Sequence, residues 1–189
     1  MPDPTGLWIA TQPATDGTYM AALEIGQDLS VPLTREYAVR YALAVIDAAL
    51  RAEYDAAILA QFGTGMGLDN EHIVLTLTGV RDLRPAQDHD ATAPLRFTPG
   101  VNADGDAFLA IHLDGRQIGQ FDPADAIVHA AYVLQGPIAA GLDAAYHRWL
   151  RQGLDTTDTM ARAMVGDLEK WRPDTGRYGN GTRLEDGQG

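Results

Sequence analysis

The sequence contains no cysteine, which excludes disulfides, thiolate metal sites and cysteine nucleophiles. It contains one serine, Ser30, in the segment GQDLSVP. A serine hydrolase would depend on that residue, and the segment lacks the glycine-flanked elbow that presents a nucleophile. Capping the helix that follows is the expected role of Ser30. Lysine is nearly missing too: Lys170 stands alone beside thirteen arginines. With Ala, Gly and Asp abundant, this suggests coding bias from a GC-rich genome, that of an actinobacterium or one of its phages. An acidic halophile is the competing source, and the scarcity of glutamate argues against it. No uncharged apolar run reaches the roughly 18–20 residues that span a bilayer, so no membrane contact is expected. The opening residues MPDPTG carry neither a basic region nor an apolar one, so no signal peptide is expected. The expected location is the cytoplasm, or a virion if the protein is phage-encoded.

What is present sets further bounds. A chain of 189 residues, 46% of them apolar, suits a single domain over 1–172 followed by a flexible or partner-docked arm, 173–189. A formal charge of −12 opposes free binding to nucleic acid, which depends on Lys and Arg displacing counterions. Such a surface keeps a protein soluble. It could also meet a basic partner or imitate nucleic acid.

The longest pattern runs from Val31 to Phe62. Val39, Leu43, Ile46, Leu50, Tyr54, Ile58 and Phe62 recur at steps of three and four, as on one side of a helix. Glu36, Arg40, Asp47, Arg51 and Asp55 occupy another side, where i,i+4 pairing of opposite charges predicts a solvated or polar contact face. About 30 residues at 1.5 Å per residue would make a rod about 45 Å long.

Before this helix, LWIATQ (7–12) and TYMAALEI (18–25) flank a PATDG turn and predict a β-hairpin. After it, GTGMG (63–67) predicts a left-handed cap. HIVLTLTGV (72–80) alternates in β-branched fashion and is expected to be a strand, and RDLRPAQDHDATAP (81–94) a loop. LRFTPGV (95–101), AFLAIHL (107–113) and RQIGQF (116–121) predict a meander joined by NADGD and by Asp114-Gly115, a hairpin pair that tolerates positive φ. Asp122-Pro123-Ala124-Asp125 supplies a full helix start. That helix should reach about Leu150 and kink or break at Gly136-Pro137. Asp155 and Asp158 should open a short third helix with Met160, Met164, Leu168 and Trp171 as its apolar stripe. The tail 174–189, rich in glycine, is not expected to fold alone.

At an offset of 92, Ala38/Ala130, Ile46/Ile138, Ala48/Ala140, Leu50/Leu142, Ala52/Ala144 and Tyr54/Tyr146 coincide. Repeats over 7–62 and 95–152 would explain this, as would chance between alanine-rich helices. Either way the reading is an α+β fold, in which hairpins and a meander form an antiparallel sheet packed by two long helices.

No constellation of residues compels a chemistry. Asp88-His89-Asp90 has ligands suited to a hard or borderline cation, but neighbours on an extended segment point apart, and a solvated loop explains them better. Asn102, Asp104 and Asp106 lack the spacing and distal Glu of a calcium loop, and a turn accounts for them. The 63–67 glycines follow a helix, whereas a phosphate cradle precedes one. His129 and His147, with Tyr132, Tyr146 and Trp149 nearby, are expected at an interface or core edge, and His112 within the meander. No catalytic residue, cofactor or metal ligand is therefore assigned. The sequence points to a non-enzymatic structural or assembly protein that acts through protein partners, as a homo-oligomer or in a larger complex such as a phage head–tail connection or tail. The alternatives are an acidic inhibitor or DNA mimic, and a small enzyme using Asp88, His89, Asp90 and His112.

Overall fold

The computed structural model describes residues 6–26, 29–85, 94–168 and 178–183. The protein is α+β, with seven strands in two antiparallel sheets among the described residues. Strands β1 (Gly6–Pro13), β2 (Tyr19–Ile25) and β3 (Leu29–Leu33) lead into helix α1 (Arg35–Ala60) and then α2 (Asn70–Leu83). Strands β4 (Leu95–Val101), β5 (Ala107–Leu113) and β6 (Arg116–Phe121) lead into α3 (Pro123–Gly153) and then α4 (Asp158–Leu168). The order three strands, long helix, shorter helix thus occurs twice. A last strand, β7 (Tyr178–Arg183), comes from the C-terminal arm and pairs antiparallel with β1, giving the order β3-β2-β1-β7. The other sheet is β4-β5-β6.

The described chain forms two compact units, with boundaries inside α1 after Ala42 and inside α3 before Val128. In the first unit the buried sheet residues include Leu7, Ile9, Leu23 and Leu33, and the buried helix residues include Ala38, Ala42, Val133, Ala140 and Leu150. In the second they include Leu95, Phe97, Leu109, Ile111 and Phe121 with Ala48, Ala49, Ala52, Ile73 and Leu77.

Local chemistry explains most boundaries. Asp114 and Gly115 both take positive φ (50° and 81°), as their two-residue hairpin demands. Asn102 Oδ1 accepts from the backbone N–H of Asp104 and Asp106, so the NADGD segment is a turn. Asp122 caps α3 by accepting from Ala124 N–H at 2.8 Å.

Four expectations are corrected. The stretch Leu29–Leu33 is a strand paired with β2, and the long helix starts only at Arg35. Pro32 cannot donate inside a helix, whereas an edge strand tolerates it. Ser30 therefore lies opposite Glu24 in the sheet, and Thr34 does the capping, its Oγ1 accepting from Tyr37 N–H.

HIVLTLTGV is helical, not a strand. Asp69 caps it by accepting from His72 N–H at 3.0 Å, and Thr76 and Thr78 donate their hydroxyls to carbonyls one turn back. The threonine bonds only satisfy the hydroxyls; the cap and the burial of Ile73 and Leu77, which sit at i,i+4 rather than alternating, offset the β-branched preference. The helix through Gly136-Pro137 is continuous. A Cβ at Gly136 would lie 2.8 Å from Ile9 Cγ2 and 3.3 Å from Ala21 Cβ, so glycine lets the helix lie close on the sheet, and that packing outweighs the donor lost at Pro137. In α4, Thr157 caps by accepting from Met160 N–H, and the buried stripe is Ala161 and Val165, with Met160 exposed.

The Gly136 contact is testable. Gly136→Ala should lower stability by about 1–3 kcal/mol through overpacking, despite alanine's better helix propensity. Urea unfolding reads it as a lower midpoint; an unchanged or raised midpoint would show that the helix can lift without loss.

Candidate interaction surface

Among the described residues, the chemistry-bearing side chains singled out in the sequence do not gather at one place. Asp88, His89 and Asp90 lie outside the described residues. His112 sits on β5, across from Arg96 on one side and Gln117 on the other. The glycines after α1 form a π-helical turn, Gln61–Gly65, closed by Gly67 at φ +67° and by its N–H bonded to the Gly63 carbonyl. Among the described residues, no three His, Asp or Glu side chains are grouped to hold a metal ion.

Four polar side chains are buried instead: Asp55, His129, Asp143 and His147. Each has a partner. The acid Asp55, expected on the solvated face of α1, accepts from Nε and Nη2 of Arg81 at 2.9 and 2.7 Å. Arg84 Nη2 lies 2.6 Å from its other oxygen. Arg51, the expected partner, pairs with Asp47.

On α3, His129 Nε2 lies 3.1 Å from the Tyr41 hydroxyl. Burial pulls the imidazole down to a pKa of about 4 and pushes the phenol well above its ordinary value, so both are neutral near pH 7. One step along, Asp143 accepts from Thr11 Oγ1 at 2.7 Å. His147 Nε2 lies 3.2 Å from Asp158 Oδ1, and its ring packs 5.8 Å from that of Tyr19. Arg162, hydrogen-bonded to Asp158, holds that carboxyl below its usual range. These groups tie helix to sheet and helix to helix.

The exposed surface carries the more unusual feature. The large apolar residues expected to bury α1 (Val39, Leu43, Leu50 and Tyr54) are exposed, and α1 buries Ala38, Ala42, Ala48, Ala49 and Ala52 instead. Small side chains let a helix lie close to its neighbours, and the larger ones are left on the outer side. Helix α3 repeats this arrangement. It buries Ala130, Val133, Gly136, Ala140 and Asp143 and exposes Leu134, Ile138 and Leu142 at 38, 62 and 64%.

The two outer faces differ in charge. On α1, exposed Glu36, Arg40 and Glu53 flank the apolar residues. On α3, every exposed position from Val128 to Ala145 is uncharged, and Gln135 is the one polar side chain among them. About five turns of helix therefore face water without a charge, on a chain of net charge −12. Comparison with protein-family models, curated proteins and solved structures finds no match.

The site therefore rests on its physical features alone. Its main feature is a row of large apolar side chains left exposed on an uncharged helix face. Sequence periodicity registered the equivalent row on α1 as one apolar side of a helix but not the row on α3, and it weights residue size, so it cannot tell which of two apolar faces points inward. A usable signal was present: Val128–Ala145 holds one acidic and one basic side chain, Asp143 and His129, and both fall on the alanine-bearing face. No helix is long and apolar enough to cross a membrane among the described residues.

Proposed function

We propose that the protein is a non-enzymatic structural or assembly component that works by docking protein against the outer face of α3. The uncharged row Leu134, Ile138 and Leu142, exposed on an acidic chain, carries this reading. Covering a large aliphatic side chain contributes about 1.5–3 kcal/mol, so leaving three exposed, two of them by more than half, opposes solubility unless another protein covers them. The buried polar groups support the same reading, since each is engaged with a neighbour inside the fold. A phage particle, at its head–tail connection or tail, is the setting suggested by the GC-rich composition.

The test is sedimentation of the chain at its natural level in extracts of cells that make it. It should migrate well above the size of one or two copies of its 20.3 kDa chain, and a Leu134→Asp, Leu142→Asp variant should fall back to small sizes. Migration of the unaltered chain at one or two copies would rule out a larger assembly.

A further inference from the structure

Two stretches of the chain share one register. Among the described residues seven take a positive φ, and six of them form pairs 88 residues apart: Gly17 with Gly105, Gly26 with Asp114, and Gly67 with Asp155. The helix caps keep the same spacing. Thr34 and Asp122 cap α1 and α3, and Asp69 and Thr157 cap α2 and α4. Identical buried residues fall there too, as Ala42/Ala130, Val45/Val133 and Asp55/Asp143. A buried acid costs free energy, so its recurrence at one position is not explained by composition. The spacing of 92 between alanines of the long helices is this register displaced by about one helical turn. Loops accept insertions freely, so a fold alone does not hold the four connections among three strands and two helices to equal lengths. Repetition of one segment does.

The two repeats are exchanged. In the first compact unit, β1–β3 of the first repeat lie with α4 and most of α3 from the second. Ile9 lies against Gly136, Thr11 bonds to Asp143, and Tyr19 packs against the Leu150, Ala161 and Val165 cluster. The second unit groups β4–β6 of the second repeat with α2 and the greater part of α1 from the first. Tyr41 and His129, themselves 88 apart, touch one another, hydroxyl to Nε2 at 3.1 Å. Residues meet their own equivalents in an isologous contact and not in a head-to-tail one. We infer that the chain is a fused dimer: one segment repeated every 88 residues, from Leu7 and from Leu95, in which each sheet is the seat for the long and short helices of the other copy. The interaction surface is thus a sheet face, and its partner is a second copy of the repeat carried in the same chain. Exchange of identical elements is a low-cost route to such a pairing. None of this depends on what the outer face of α3 docks.

The repeat predicts a second contact from the first. A Cβ at Gly136 would lie 2.8 Å from Ile9 Cγ2, which brings the two Cβ positions within disulfide reach. Their equivalents 88 residues away are Ala48 and Phe97, both buried. In the full-length chain, which has no cysteine of its own, Ile9→Cys with Gly136→Cys should lose both free thiols within one chain on mild oxidation. Phe97→Cys with Ala48→Cys should do the same. Ile9→Cys with Ala48→Cys, and Phe97→Cys with Gly136→Cys, would join a sheet to the helix of its own repeat and should keep both thiols. A bridge in these last two, or none in folded protein of the first two, overturns the exchange. A bridge in only one of the first two overturns the repeat. Because changes at buried positions can prevent folding, a second experiment leaves both cores intact. A protease site is inserted between Gln87 and Asp88 of the full-length chain. After cleavage the two halves should elute together at the size of the uncut protein until denaturant is added. Halves that part without denaturant overturn the exchange.

Discussion

Replacing Asp55 by alanine should destabilise the protein by about 3–5 kcal/mol, the range for breaking a buried ion pair from one side. The carboxylate is fully buried and engages Arg81 and Arg84. After its removal the two guanidiniums fare differently. Arg81, with about half of its side chain exposed, can turn to water, but Arg84 is only 16% exposed and would be left as a poorly solvated cation. The loss is thus expected to come mainly from Arg84. Asp55→Leu with Arg84→Met, which removes both charges and keeps volume, should recover most of it. Urea unfolding at neutral pH reads all three proteins, and a single variant within about 1 kcal/mol of the parent would show that the pair behaves as a surface contact.

The second large effect is a loss of stability on mild acidification, centred on His129. Its folded pKa is about 4, depressed by burial from 6.5. Between those values the unfolded chain binds the proton and the folded one does not, so stability rises with pH across that window. The contribution is fully present above pH 6.5 and is lost as pH falls toward 4. The two pKa values imply about 3 kcal/mol over the full window. Carboxylates held low by hydrogen bonds, such as Asp158 and Asp69, weaken the fold only at still lower pH, so the two regimes separate. His129→Gln keeps a polar group near the Tyr41 hydroxyl and cannot titrate. Unfolding midpoints at pH 7 and pH 4.5 should differ clearly for the parent and much less for this variant; equal slopes would place the acid sensitivity elsewhere.

Elements defined by local chemistry were legible in the sequence. The Asp122 cap, the Asp114-Gly115 turn and the β4–β6 meander each follow from residues a few positions apart. Those decided by distant packing were not. The propensity of Ile73, Val74, Thr76 and Thr78 favours a strand, and only the Asp69 cap with burial of Ile73 and Leu77 makes the segment a helix. Gly136-Pro137 reads as a break until Ile9 is seen to occupy the space a Cβ would need. Asp55 reads as a surface acid until Arg81 and Arg84, about 30 residues later in the chain, are brought to it. The outward apolar rows were hidden for a related reason: on α1 Val39, Leu43, Leu50 and Tyr54 read as an apolar side of a helix, but their outward direction depends on the alanines opposite lying inward.

Those outward residues carry the central claim, and the size at which the chain sediments in extracts of cells that make it tests it most directly. The unaltered chain should sediment well above the size of one or two copies of its 20.3 kDa mass, and Ile138→Asp should return it to small sizes. An unaltered chain that sediments at one or two copies, or a variant that stays in the large species, would contradict docking through the outer face of α3.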